Sequence, residues 1–258
     1  MNIIHSTAIV SPKAKLGTNI KIGPFAIIHD DVEIDDDCEI GPHAVIYDYA
    51  RIGKRVKIFQ SASVSNLPQD LKFDQGKTLL KIGDDTTVRE FAALHRGTHA
   101  TGETSIGKNC LLMAYSHVAH DCHIGDNCIL ANGVQLAGHI EIEDTVIIGG
   151  LAAVHQFCKI GKHCMIGGGS MIGMDVPPFI TTSGYPARFM GLNIIGLQRR
   201  GFTKEEIASI KESYRLYYSA GLTPAVAKEK INEKFGSQPY CKDILDFMGK
   251  SERGIIRK

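Results

Sequence analysis

From Val10 to Ile172 the chain places Leu, Ile or Val at every sixth position, a period that suits neither the 3.6-residue turn of a helix nor the two-residue alternation of a flat strand. The first run is Val10, Leu16, Ile22, Ile28, Ile34, Ile40, Ile46, Ile52, Ile58 and Val64. Ile82, Val88 and Leu94 follow, and a third run extends from Ile106 to Ile172. Only Asp70, Gly76 and Ala100 miss, so twenty-five of twenty-eight slots are filled where random placement would fill about seven. Self-similarity of this strength outranks local propensity.

Six residues hold one short strand and one corner. Three such units close a triangular coil of eighteen residues, in which side chains eighteen apart stack. With coils about 4.8 Å apart, roughly eight of them make a prism on the order of 40 Å tall. Two residues before each apolar position lies a slot for small side chains, holding Ala26, Ala44 and Ala62 but also Cys38, Cys110, Cys122, Cys128, Cys158 and Cys164. The spacing of these cysteines follows the core, so they read as packing thiols rather than a metal or disulfide set. Glycine often follows the apolar residue, as at Gly17, Gly41, Gly107 and Gly125, and is expected to supply positive φ at the corners.

The period stops after Pro177-Pro178. Thr203-Lys204-Glu205-Glu206 then forms a capping-box pattern ahead of a helix ending near Gly221; a second helix starts at Thr223-Pro224 and ends before Gly236, and a third runs from Tyr240 to Met248. The fold class is therefore an all-β solenoid with a helical tail, divided into residues 1–190 and 191–258. The solenoid accommodates two insertions, Ser65 to Leu80 and a Gly-, Thr- and His-rich stretch near His95 to Glu103, and insertions in such folds tend to carry function.

A net charge of +1, 7% aromatic residues and no Trp give no basic stripe or stacking platform for nucleic acid. Met1 to Val10 has neither the charge nor the apolar stretch of a signal peptide, and the longest apolar run, Val146 to Val154, is too short to span a bilayer. No membrane insertion is expected, and unpaired packing cysteines suit the reducing cytoplasm.

His117, His120, His123, His139 and His155 fall within about two coils and are expected to line one strip. His120 lies two residues past an apolar position, so it points outward or to a corner, where an imidazole can work as a general base. Surface histidines on a rigid scaffold are the plainer alternative. A Zn²⁺ hydratase built from three imidazoles is the sharper one, although His-x-x-His spacing alone is a weak signal. The cysteines occupy the buried slot, which favours direct transfer over a covalent enzyme intermediate.

The segments Gln69-Asp70-Leu71-Lys72, His95-Arg96-Gly97-Thr98, His117-Val118-Ala119-His120-Asp121-Cys122, Leu136-Ala137-Gly138-His139, Val154-His155-Gln156-Phe157-Cys158, Asp175-Val176-Pro177-Pro178 and Gly196-Leu197-Gln198-Arg199-Arg200-Gly201-Phe202 appear in this order. Together they resemble the UDP-N-acetylglucosamine O-acyltransferases of the hexapeptide-repeat acyltransferases, the enzymes that begin lipid A synthesis. The resemblance covers nearly the whole chain. It implies a left-handed parallel β-helix, an exception to the right-handed crossover rule, assembled as a homotrimer with sites between subunits.

The same resemblance implies that His120 takes the proton of the sugar 3-hydroxyl as it attacks the thioester of an (R)-3-hydroxyacyl-acyl carrier protein, with Asp121 or another carboxylate orienting the ring. It assigns oxyanion stabilisation to the Gly138 N–H and substrate contacts to Asp70, Lys72, His117, His139, His155 and Gln156. Arg199 and Arg200 fall on the nucleotide-phosphate side, and Gly168 at the position that limits acyl length. UDP-N-acetylglucosamine and the acyl carrier protein are the implied partners, with no cofactor and no metal. An acidic carrier implies a basic docking face, for which Lys159, Lys162, Arg188, Arg199, Arg200 and Lys204 are candidates. The chain departs from the family pattern at Ser183 to Arg188 and at the apolar Ile195.

Overall fold

The computed structural model describes residues 1–74 and 76–258; Gln75, within the first insertion, lies outside them. Residues 3–172 form a left-handed parallel β-helix of two- to four-residue strands on three flat faces. Face 1 starts at Ile3–Ile4, face 2 runs from Ile9–Val10 to Met171–Ile172, and face 3 from Lys15–Leu16 to Lys159–Ile160. Registers advance by eighteen residues, as in Val10↔Ile28, Ile28↔Ile46 and Val118↔Leu136. Where an insertion intervenes the register still closes, Val64 pairing with Leu94.

The six-residue period is the inside of the column. Ile28, Ile46, Ile58, Leu94, Leu112, Leu130 and Leu136 are all fully buried, and the alanines and cysteines of the small slot pack between them. The buried thiols donate to carbonyls of the next coil, Cys122 to Ala137 and Cys128 to Glu143, and burial pushes the Cys122 thiol up to about 12. All of them are unpaired and buried, in the packing role that the spacing implied.

The glycines behave differently from expectation. Those directly after the apolar positions do not take positive φ; the left-handed residue comes two positions later and is rarely glycine, as at Asn19, Phe25, Asp37, Arg55, Asp121 and His139. What the glycines provide is room between coils. A Cβ on Gly107 would lie 2.6 Å from the carbonyl carbon of Gly125, and one on Gly125 would lie 2.8 Å from the backbone nitrogen of Asp144.

The left-handed positions give each edge its character. Along the edge between faces 3 and 1 they include Asn19, Asp37, Arg55, Asp85, Asn109, Asn127 and Thr145, a polar row. Along the edge between faces 1 and 2 they include the exposed Phe25, Phe91, Tyr115 and Leu151, with Phe91 stacked on Tyr115 at 5.0 Å. The outward residues of face 3 form ion-pair ladders such as Lys15–Glu33 at 2.8 Å and Lys159–Glu141 at 3.1 Å. Both insertions, residues 67–78 and 96–102, leave the column at the edge between faces 2 and 3.

An antiparallel hairpin, Ile180–Gly184 with Ala187–Leu192, closes the top of face 1 and leads into the helices α1 (Ile194–Arg199), α2 (Lys204–Ser219), α3 (Pro224–Phe235) and α4 (Pro239–Lys250). The Thr203–Glu206 capping box and the Thr223 cap start α2 and α3 as anticipated. The hairpin and the short α1 were not anticipated. Buried Asp175 ties the tail to the last coil: its carboxylate accepts from the Lys159 N–H at 2.7 Å and the Ser251 hydroxyl at 2.6 Å. Tyr214 adds a buried hydrogen bond from its hydroxyl to the Pro178 carbonyl at 2.6 Å.

Candidate active site

Residues at the same point of successive coils stack, so the corner carrying His120 and Asp121 lies beneath the one carrying Gly138 and His139, with His155, Gln156 and Phe157 above both. The His139 N–H donates to the His120 carbonyl at 3.1 Å, and the Phe157 N–H to the Gly138 carbonyl at 3.2 Å. The ring of His139 meets that of His120 edge-on at 5.1 Å and stacks on Phe157 at 4.5 Å.

His120 Nδ1–H donates to Asp121 Oδ2 at 2.8 Å, which fixes the tautomer and leaves the Nε2 lone pair directed away from the carboxylate. Among the described residues Nε2 has no hydrogen-bond partner, and neither does the N–H of Gly138. The imidazole lies against Gly138, since a Cβ added there would sit 2.9 Å from Nε2 and 2.7 Å from Cε1 of His120. Glycine here is required by the imidazole itself.

The Asp121 side chain is fully buried. Burial alone would raise its pKa, but hydrogen bonds from His120, Thr101 and Thr98 outweigh that penalty and hold the carboxyl well below its usual range. His139 Nε2 lies 3.7 Å from the same carboxylate. Burial lowers the His139 pKa, opposed by Asp121 and, through space, by Asp70. His95 donates from Nδ1 to the Leu67 carbonyl at 2.6 Å, its ring 5.0 Å from that of His117. Burial, reinforced by His95, drives His117 down to about 4.

His120, Asp121 and His139 bring three potential ligand atoms within 4.8 Å of one another. The carboxylate is already saturated by Thr98, Thr101 and His120, and Nδ1 of His120 is committed to it. This donor set is built to hold a charged carboxylate, and it does not fit a metal ligand sphere.

One chain brings Asp70, Lys72, His120, Asp121, Gly138, His139, His155 and Gln156 to a single edge, with His117 on the adjoining face 2. Asp70 and Lys72 sit in the first insertion, where the carboxylate of Asp70 accepts from the Lys72 N–H at 2.9 Å. His123, expected on the same strip, lies instead on face 3, hydrogen-bonded to the Ser105 hydroxyl at 2.9 Å. Gly168 lies on another edge, between faces 1 and 2, above Gly150, with open space where its Cβ would be except for the Gly150 carbonyl at 3.2 Å. Arg199 and Arg200 end α1 near the third edge. There Arg200 caps the Gly196 carbonyl at 3.1 Å, and burial, reinforced by Arg200, lowers the pKa of His163 to about 4. Of the basic residues read as a docking face, Lys159 is paired with Glu141 and Lys162 with Asp243 at 2.7 Å, so neither is a free cation.

A residue pair not singled out beforehand is Thr98 and Thr101, in the second insertion. The Thr98 N–H and hydroxyl donate to the two oxygens of Asp121 at 2.9 and 2.6 Å, and the Thr101 hydroxyl donates to Oδ1. The Gly- and Thr-rich composition of that insertion was the available signal.

The hexad β-helix, and the histidine–carboxylate pair it carries against Gly138, suit a hexapeptide-repeat acyltransferase. Family models agree: one described as bacterial transferase hexapeptide (six repeats) matches residues 13–48 and 103–138, and one described as UDP N-acetylglucosamine O-acyltransferase, domain 2, matches residues 175–256. The acyl-[acyl-carrier-protein]–UDP-N-acetylglucosamine O-acyltransferase of Thiobacillus denitrificans is 44% identical over 258 residues, covering 100% of both chains. That of Aliarcobacter butzleri is 46% identical, covering 99% of this chain and 98% of its own. Among solved structures, LpxA from Acinetobacter baumannii superposes with a TM-score of 0.96 at 43% identity, over 99% of this chain and 100% of that one. LpxA from Bacteroides fragilis gives 0.97 at 42% over the same shares. The chain belongs to the acyl-[acyl-carrier-protein]–UDP-N-acetylglucosamine O-acyltransferase family.

Proposed function

We propose that this acyltransferase moves an (R)-3-hydroxyacyl group from acyl carrier protein to the 3-hydroxyl of UDP-N-acetylglucosamine, the first step of lipid A synthesis. The names of its full-length relatives support donor and acceptor. The observation that carries the mechanism is the His120 ring lying against Gly138, with neither Nε2 nor the Gly138 N–H hydrogen-bonded among the described residues.

The acceptor oxygen attacks the thioester carbonyl as Nε2 of His120 takes its proton, a role that contributes about 10² to 10⁴ in rate. The Gly138 N–H receives the developing oxyanion, and Asp121 stabilises the imidazolium. Collapse breaks the C–S bond, and the imidazolium returns the proton to the departing thiolate. Asp70, Lys72, His117, His139, His155 and Gln156 surround this centre and position the substrates.

Gly168, Arg199 and Arg200 act in the same reaction from a second copy in a homotrimer. The apolar edge between faces 1 and 2 supports this assembly, whereas the charged face 3 suits solvent. Gly168 leaves a trough for a long acyl chain, and the two arginines suit nucleotide phosphates. No helix among the described residues is long and apolar enough to cross a membrane, and the seven unpaired cysteines fit a reducing cytoplasm.

The decisive experiment is transfer from hydroxyacyl carriers of graded length to UDP-N-acetylglucosamine. His120→Ala is expected to lose about 10³-fold in kcat, and Gly168→Met to shift preference to shorter donors. Parental turnover by the His120 variant rejects the mechanism, and an unchanged length profile rejects the role of Gly168.

A further inference from the structure

We propose that Thr98 and Thr101 are positioning residues of the transfer: they clamp the Asp121 carboxylate so that one oxygen is held against Nδ1 of His120. The inference deepens the reading of His120 as the base and rests on it.

Without help, Asp121 would be poorly placed. It is buried, follows directly on His120 and takes a left-handed backbone conformation, φ +62° being reached by Asp37 and +58° by Asp121 itself. An isolated buried carboxylate would take up a proton or turn toward water. The second insertion prevents both. Thr98 gives its N–H to Oδ1 and its hydroxyl to Oδ2, while Thr101 adds its hydroxyl to Oδ1. Thr101 has one proton to give and faces both the Glu103 carbonyl at 2.9 Å and the carboxylate; the charge-assisted bond to the carboxylate is the stronger. The Thr104 hydroxyl holds the Asp121 N–H from below at 2.8 Å.

The insertion is shaped to make these contacts. A Cβ on Gly97 would lie 2.4 Å from the Glu103 nitrogen, so glycine lets the two ends of the loop close on each other. Gly102 then turns with φ +80° and returns its N–H to the Thr98 carbonyl at 2.8 Å. Both threonines thereby face the same carboxylate.

The clamp has an electronic consequence besides geometry. Three donors spread the negative charge of Asp121, so it attracts the Nδ1 proton less than a bare carboxylate would. The other groups facing His120 are His139, lowered by burial and raised by the same Asp121 carboxylate, with smaller effects from Asp70 and His123, and His95, lowered by burial; the substitutions leave all of these residues in place.

The test is Thr98→Val with Thr101→Val, singly and together, and the matching serine variants. In the transfer assay the double valine variant is expected to lose about 10- to 100-fold in kcat, with KM for both substrates nearly unchanged. The acid limb of its kcat/KM profile should move up by roughly one pH unit. Serine variants should restore both. Independently of turnover, the ring ¹⁵N resonances of His120 should titrate at higher pH in the double variant than in the parent. Parental kcat and an unmoved His120 titration in a folded double valine variant overturn the clamp. If the double variant does not fold, Thr101→Val alone decides by the same two readings. Absence of transfer by the parent, with the titration shifted as expected, instead faults the assigned reaction and leaves the clamp supported.

Discussion

At the scale of single residues, the site is a problem of space before it is one of chemistry. Gly138 has no side chain because the His120 ring occupies the volume a Cβ would need. Gly138→Ala should therefore displace the imidazole and perturb the oxyanion donor together. Transfer is expected to fall about 10²- to 10³-fold while the far-UV spectrum and Tm stay near parental. Burial also leaves a pH signature. His117 and His163 both titrate near 4 in the folded chain against 6.5 for a free imidazole. Between those values the unfolded chain binds protons that the folded one refuses, so stability is complete above about pH 6.5 and declines as pH falls toward 4. Urea midpoints at pH 7.5 and 5.0 check this; equal midpoints would mean both imidazoles are solvated. The histidines were visible in the sequence, but their environments were not. His95 and His117 become a buried pair only because an insertion folds Leu67 over them.

At the scale of elements, what could be read depended on whether a signal was local. The hexads, the small slot and the caps at Thr203 and Thr223 are local, and each corresponds to the element it implied. The six residues of α1 are too few to show a period, and the hairpin carries no tight turn pair of the Asn-Gly kind. The glycine after each apolar residue was legible as a corner marker but misread as a φ requirement, because the clash that excludes a Cβ comes from the next coil, sixteen or more residues away. The Asp175 clamp is equally non-local, reaching Ser251 and Arg253 in the tail. Asp175→Ala should leave the coils intact but cost about 3 kcal/mol of tail anchoring. Limited proteolysis should then cut within α2 to α4 earlier than in the parent. Unchanged cutting would place the anchor elsewhere, with Tyr214 and its Pro178 partner the next candidate.

At the scale of the whole molecule, position around the coil decides which residues one chain can gather. Gly138 and Gly168 differ by thirty residues, twelve beyond a full coil of eighteen, so arithmetic on the sequence already places them on different edges. Periodicity thus held the partition of the site, although motif resemblance alone grouped these residues together. If sites form between copies, His120→Ala and the double variant Arg199→Ala, Arg200→Ala should each be nearly inactive alone. Co-refolded in equal amounts, they should recover about a quarter of parental activity, because each mixed trimer keeps one intact interface. No recovery would put all the groups on one chain.

The column also has a modular consequence. Every rung repeats the one below, and both insertions sit well above the first strands. Duplicating one eighteen-residue rung below Tyr49 would lift the reaction centre by a single strand spacing, about 4.8 Å, without rotating it. A lineage of such proteins can therefore change height by copying its own text, while a gain or loss of any other length would twist the chemistry onto the wrong side of the tower.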